Sequence, residues 1–270
     1  MYQRELGFDY LGRRIPFSIW LSDDSHVIDT VIFLGTVQIG KLPMWVAESS
    51  PPRTAVVQGA PHWHANEDGS DIPSYTLNFA KSAFDGLVAM ATFETVNIIA
   101  DSQAAPAAIQ LFASDPYSSY VKQMVLLQPL GLNTSAFGGT DEQRMKILQE
   151  RVTSNAYRQL PELLRDTRLR HNYRVMNKTV SFRDPRSRAQ YSSGLSYDAR
   201  HDLAALIGIN PNVVIVSGGA DKIFIPTEIK DNLSQAVLHV DMVIVPGIPH
   251  SPLATRKGRV LLEKAFSLFK

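Results

Sequence analysis

Val96-Asn97-Ile98-Ile99-Ala100-Asp101-Ser102-Gln103-Ala104-Ala105-Pro106-Ala107-Ala108 is the stretch on which the rest of the chain turns. A largely apolar, β-favouring run meets a single serine, and an alanine-rich, helix-favouring segment follows at once. A strand that ends on serine and turns straight into a helix sets that side chain at the carboxyl edge of a sheet. There it faces the N–H groups of the helix's first turn. Ala100 and Ala104 stand two residues before and after Ser102, where the strand and helix backbones come closest. Small-x-Ser-x-small is frequent by chance, so other strand ends must decide whether Ser102 is more than a helix N-cap.

Working outward, short β-rich runs at 6–10 and 15–21 flank Gly12-Arg13-Arg14, which reads as an opening hairpin. The apolar run Val31-Ile32-Phe33-Leu34 and the strand at 54–59 are of the kind a doubly covered sheet contains. A short helix is expected over 43–47, and a longer one over 74–90 with Ser74 as its N-cap. The helix after Ser102 is expected to end near Asp115-Pro116, and Met124-Val125-Leu126-Leu127 is another buried-type strand. From about 133 to 200 the alternation stops. Helices are expected at 141–151 and 156–165, then a loop through 183–188. Alternation resumes with strands at 212–217 and 240–245 and helices at 226–236 and 257–269. This pattern implies a mainly parallel sheet covered on both faces, an α/β fold.

In open α/β sheets function collects at the carboxyl ends of strands. The strand at 212–217 runs into Gly218-Gly219-Ala220-Asp221, and the one at 240–245 into Gly247-Ile248-Pro249-His250. Ser102, Asp221 and His250 thus each leave a strand end, in that chain order. A hydroxyl is a poor nucleophile at neutral pH. An imidazole can take its proton, and a carboxylate can fix the imidazole's tautomer and stabilise its cation. The strand at 31–34 ends at Gly35, so the N–H of Thr36 or Val37, together with that of Gln103, is placed to receive a developing oxyanion.

On these residues the chain resembles the α/β-hydrolase superfamily over essentially its full length. The matching stretches are Ala100-Asp101-Ser102-Gln103-Ala104, Gly218-Gly219-Ala220-Asp221 followed by Pro226, and Gly247-Ile248-Pro249-His250. Alanine replaces both glycines of the usual elbow, and Leu34-Gly35-Thr36-Val37 lacks the His-Gly pair of many members. The resemblance implies an eight-stranded sheet and a helical lid inserted after the sixth strand. That gives a core of 1–132 and 201–270 with a lid of 133–200. It also implies a serine hydrolase acting on an ester or thioester of a small organic or natural-product acyl group, without a cofactor. Acyl transfer or elimination with the same triad is the alternative, and a non-catalytic binding member is the third reading.

Bulk properties narrow the rest. With 270 residues, 44% hydrophobic and 20% charged, the chain can bury a large core, so a disordered or fibrous protein is excluded. A net charge of +1 gives no drive toward nucleic acid, and no apolar run reaches the ~20 residues of a membrane span. Without cysteine, thiol catalysis and thiolate metal sites are excluded. The amino-terminal charges lead into no apolar leader-like region, so a cytoplasmic location is expected. His62 and His64, with Glu67 and Asp68 nearby, lack an assignable third ligand, so a loop is expected there and no metal. Trp45, Trp63, Tyr157, Tyr173, Phe182 and Tyr191 either line an acyl pocket or form the lid's own core. Residues 134–200 carry 13 Lys and Arg against 7 Asp and Glu, leaving 14 against 19 elsewhere. This basic segment is either a solvated face or attracts an anionic or carrier-protein-linked substrate.

Overall fold

The computed structural model describes residues 1–35, 41–59, 70–171, 185–210 and 212–269. Eight strands form one sheet. They are β1 (Tyr2–Tyr10), β2 (Arg13–Leu21), β3 (Thr30–Phe33), β4 (Thr54–Val57), β5 (Val96–Asp101), β6 (Val121–Leu127), β7 (Val213–Gly218) and β8 (Asp241–Val245). Their spatial order is β1-β2-β4-β3-β5-β6-β7-β8. The β1–β2 and β2–β4 pairs are antiparallel and every other pair is parallel. The opening hairpin is longer than the apolar runs suggest, and it turns on Leu11 and Gly12 alone, both at positive φ. Such two-residue turns match the strands' own twist.

The central strands are continuous apolar runs because each face has its own helical layer. On one face Val31, Phe33, Ile98, Ala100, Met124 and Leu126 pack together, under helices α2 (Ile72–Met90) and α3 (Ala104–Phe112). On the other, Ile32, Leu34, Ile99, Val125 and Leu127 meet helix α1 (Leu42–Ser49) and the last helix, at Arg256–Phe266. Successive residues of one strand thus belong to opposite layers, as the period of two demands. Helix α2 begins two residues before the expected Ser74, with Asp71 at the cap position and a proline in the first turn. Proline suits that turn because its missing N–H would have no intrahelical partner there. Helix α3 stops at Phe112, three residues before Asp115.

Between β6 and β7 the described chain is mostly helical: α4 (Asp141–Leu163), a turn at 167–171, α5 (Pro185–Ser196) and α6 (Arg200–Ile209). Two expectations are corrected here. Residues 141–163 form one helix where two were expected over 141–165, opened by a capping box between Thr140 and Gln143. Residues 152–155, left between the two expected helices, continue the helix, and Asn155 is buried there and bonded to the main chain of His250. Residues from Pro185 onward are helix where the run of arginines read as loop. Leu195 is buried there, and a Cβ on Gly194 would come 2.4 Å from Leu130. Helix α7 (Pro226–Gln235) follows β7, and α8 (Arg256–Phe266) closes the described chain.

Candidate active site

Ser102 sits at φ +51°, a left-handed conformation that residues with a side chain rarely adopt. Three main-chain bonds hold it there. Its N–H donates to Leu127 O (2.8 Å), and its carbonyl accepts from Ala105 (3.1 Å) and Leu130 (3.2 Å). Gln103 follows at the cap position of α3, so its N–H belongs to the helix's N-terminal set. Gly35, at the end of β3, runs beside this turn. A Cβ there would stand 3.2 Å from Asp101 O and 3.4 Å from both Gln103 N and Ser102 Cβ. Glycine keeps open the space a side chain would take next to the Gln103 amide.

Asp221 lies just beyond β7 with its carboxylate out of solvent. Its Oδ1 accepts from the N–H groups of Ile223 (2.7 Å) and Phe224 (2.9 Å), which leaves Oδ2 for His250 Nδ1 at 2.8 Å. The carboxylate fixes the imidazole proton on Nδ1 and turns Nε2, as acceptor, toward Ser102 Oγ at 3.4 Å. The edge of Phe224 meets the imidazole, with ring centres 5.1 Å apart. The acid and base loops must themselves touch. Ala220 N–H donates to Ile248 O (2.9 Å), and a Cβ on Gly218 would lie 2.2 Å from that same oxygen. That close approach is why a glycine stands at the end of β7.

Burial disfavours the His250 cation, but the Asp221 charge, its hydrogen bond and the charge of buried Asp101 together outweigh it. The imidazole pKa is raised above its ordinary 6.5. Ser102 is only 5% exposed. A serine, an imidazole and a carboxylate in this relay can generate an alkoxide-like nucleophile and return its proton to a leaving group.

The other sequence-derived candidates divide. Tyr191, on α5, hydrogen-bonds the side chain of Gln103 and so reaches the elbow; its burial holds the phenol pKa well above the usual value. Trp45 packs against His171 (ring centres 5.2 Å apart) and beneath the Arg168 guanidinium (5.1 Å), so it joins α1 to the inserted segment. Tyr157 is a correction: it is 69% exposed, on the side of α4 turned away from buried Asn155 and Gln159, and it does not line the site. Thr36, Val37, Trp63, Tyr173 and Phe182 lie outside the described residues, as do His62, His64, Glu67 and Asp68. Among the described residues no group of three or more His, Asp or Glu is placed to hold a metal ion. Among the same residues no helix is long and apolar enough to cross a membrane.

Sequence reasoning missed four polar residues that surround the triad loops. Gln128, at φ +46°, donates to Ser251 O (3.1 Å) and accepts from Ser251 N–H (3.0 Å). From α4, Asn155 and Gln159 reach the main chain of His250, and Arg151 reaches Ile223 O. The signal that finds the last three is their spacing of four on a helix, which gives one polar stripe.

No family model matches the sequence, and no curated protein matches it. Solved structures do match in shape. One is MGS-M2, an alpha/beta hydrolase enzyme from a Medee basin deep-sea metagenome library, at 14% identity and TM-score 0.58, with 98% of each chain covered. A thermophilic esterase from Thermogutta terrifontis matches at 12% and 0.59, again over 98% of each chain. The thioesterase domain from the curacin biosynthetic pathway matches at 13% and 0.58, over 100% of both. Together with the eight-stranded, mainly parallel sheet and its two helical layers, these likenesses show that the chain has the α/β-hydrolase fold.

Proposed function

We propose that the protein is a serine hydrolase that cleaves an ester or thioester of a small organic acyl substrate through an acyl-enzyme on Ser102. The observation that carries this reading is the relay of Ser102 Oγ, His250 and Asp221, with the serine in a left-handed turn at a helix N-terminus. Ser102 Oγ attacks the acyl carbon while His250 Nε2 takes its proton. The tetrahedral oxyanion is received by the Gln103 N–H and a second N–H from the segment after Gly35, at Thr36 or Val37. Collapse breaks the bond to the alcohol or thiol, which leaves with the proton from His250. Water, deprotonated by His250, then attacks the acyl-enzyme and frees the acid and Ser102. No cofactor enters these steps.

Residues 133–200 act in this reading as a lid over a core formed by 1–132 and 201–270, and they select the acyl group. A second reading keeps the same relay and has a bound alcohol or amine replace water as acceptor. The basic lid then offers a surface for an anionic or carrier-linked acyl group, although Arg144, Arg151, Arg168 and Arg200 already have carboxylate partners within the protein.

A fluorophosphonate probe is expected to label the native protein on Ser102 and to leave Ser102→Ala unlabelled. Turnover of p-nitrophenyl acetate and short acyl thioesters, with and without an alcohol acceptor, separates hydrolysis from transfer. A folded, unlabelled native protein would remove both readings.

A further inference from the structure

We infer that helix α4 is a positioning strut for the triad: Arg151, Asn155 and Gln159, on one stripe of the helix, hold the loops that carry His250 and Asp221. The inference rests on the triad reading of Ser102, Asp221 and His250.

The three residues are spaced by four, so they rise along one face of α4 over about 12 Å. Asn155 pairs with both main-chain groups of His250. Its Nδ2 donates to His250 O (2.9 Å), and its Oδ1 accepts from His250 N–H (3.2 Å). Gln159 Nε2 donates to the same carbonyl at 2.7 Å. From the sheet side Gln128 pairs with both main-chain groups of Ser251. Residues 250 and 251 lie beyond the last strand, where no ladder can hold them, and these side-chain amides take its place. One turn earlier, Arg151 donates to Ile223 O (3.1 Å) and to both carboxylate oxygens of Glu228 (2.7 and 2.8 Å). Its guanidinium lies over Phe137 at 4.4 Å. Ile223 is one of the two residues whose N–H groups orient Asp221, so Arg151 steadies the acid loop as Asn155 steadies the base loop.

A helix that only covered the sheet end would present apolar residues to it. Here the buried face of α4 changes character along its length, from Met145 and Leu148 to Asn155 and Gln159, all four with little or no exposure. Burying two amides is unfavourable unless their hydrogen bonds are met, and the groups that meet them are the main chain of His250. Serine–imidazole geometry at 3.4 Å leaves little margin, and an ångström of drift in a catalytic group lowers rates by about 100-fold. The bonds from Asn155 and Gln159 and the competence of His250 are therefore coupled.

The test compares Asn155→Ala, the milder Asn155→Ser, and Leu148→Ala, which loosens the apolar part of the same helix without touching His250. Two quantities are read on full-length protein: the rate of Ser102 labelling by the fluorophosphonate, and hydrogen exchange at the His250 amide relative to amides of β5. Asn155→Ala is expected to slow labelling by about 100-fold. It should leave KM for a small ester within about threefold and speed His250 exchange at least about tenfold. Asn155→Ser is expected to fall between it and the native protein, and Leu148→Ala to label within about twofold of native. Labelling and exchange in Asn155→Ala that match Leu148→Ala would overturn the strut. Should the native protein not label at all, the triad reading fails on its own account. The exchange measurement then decides whether α4 holds the His250 loop.

Discussion

The sheet and the segment inserted between β6 and β7 are held by different forces. In the sheet, successive residues of β3, β5 and β6 go to opposite apolar layers, and the ladder satisfies the main chain. Any apolar side chain of suitable volume serves there. The inserted segment also has apolar seats, at Phe137, Met145, Leu148 and Leu195. Its directional contacts are polar, however. Arg151 pairs with Glu228 and Arg168 with Glu48, so two of its excess cations meet anions of the acidic remainder. Asn155, Gln159 and Tyr191 add hydrogen bonds to the His250 loop and the elbow. Apolar packing brings three strand ends to one edge. Polar contacts, with their narrow angles and distances, set where the loops beyond those ends come to rest.

The largest effect that separates the two regions belongs to a core residue. Asp221→Asn keeps the shape of the acid loop but removes the charge that orients His250, and kcat/KM is expected to fall by about 10⁴. The pH profile supplies a second reading. The proposed relay needs the neutral imidazole, and the His250 pKa is raised, so native kcat/KM should climb with pH through a midpoint above 6.5. In Asp221→Asn the Asp221 charge and its charge-assisted hydrogen bond are gone, burial still lowers the pKa, and only the Asp101 charge still raises it. The midpoint should move down. Stopped assays from pH 5 to 9 measure both, and a midpoint that stays in place would show that Asp221 does not set the His250 proton.

Next comes a substitution that acts on the seam between the acid and base loops. Gly218→Ala drives a methyl into the Ile248 carbonyl, a main-chain atom that cannot swing aside. A loss of about 2–4 kcal/mol is expected, read as a lower urea midpoint at unchanged slope. Gly208→Ala is the control, since a Cβ there meets nothing within 4 Å and α6 should gain about 0.5–1 kcal/mol. Equal midpoints for the two variants would mean that the loops can part without consequence.

The same residues mark how far the amino-acid sequence can be read by itself. The strands are legible because burial on both faces leaves continuous apolar runs, as at 31–34 and 124–127. Ser102, Asp221 and His250 are legible because each follows such a run, and a strand end is a position that chain order supplies. Asn155 and Gln159 are not. Their local neighbours read as a polar helix with a break, and their partner, the main chain of His250, lies more than 90 residues away. A main-chain partner leaves no residue type to recognise. Two aromatic residues of the insertion behave likewise: Tyr191 points to the elbow and Tyr157 to solvent, a choice made by the rotation of their helices and not by their chemistry.

Tyr191→Phe carries the smallest expected effect and draws the line between the two kinds of contact most finely. The hydroxyl bonds the side chain of Gln103, whereas the proposed reaction draws on the Gln103 N–H, and the elbow's main chain is already held by Leu127, Ala105 and Leu130. Losing the hydroxyl should remove one hydrogen bond's worth of seating, about 1 kcal/mol, and leave a ring of the same volume in place. The Ser102 labelling rate is then expected to stay within about threefold of native, with any change appearing in KM, as the insertion closes less firmly. A fall approaching that of Asn155→Ala would break the comparison. It would mean that the elbow, like the histidine loop, takes its geometry from the insertion and not from the sheet beneath it.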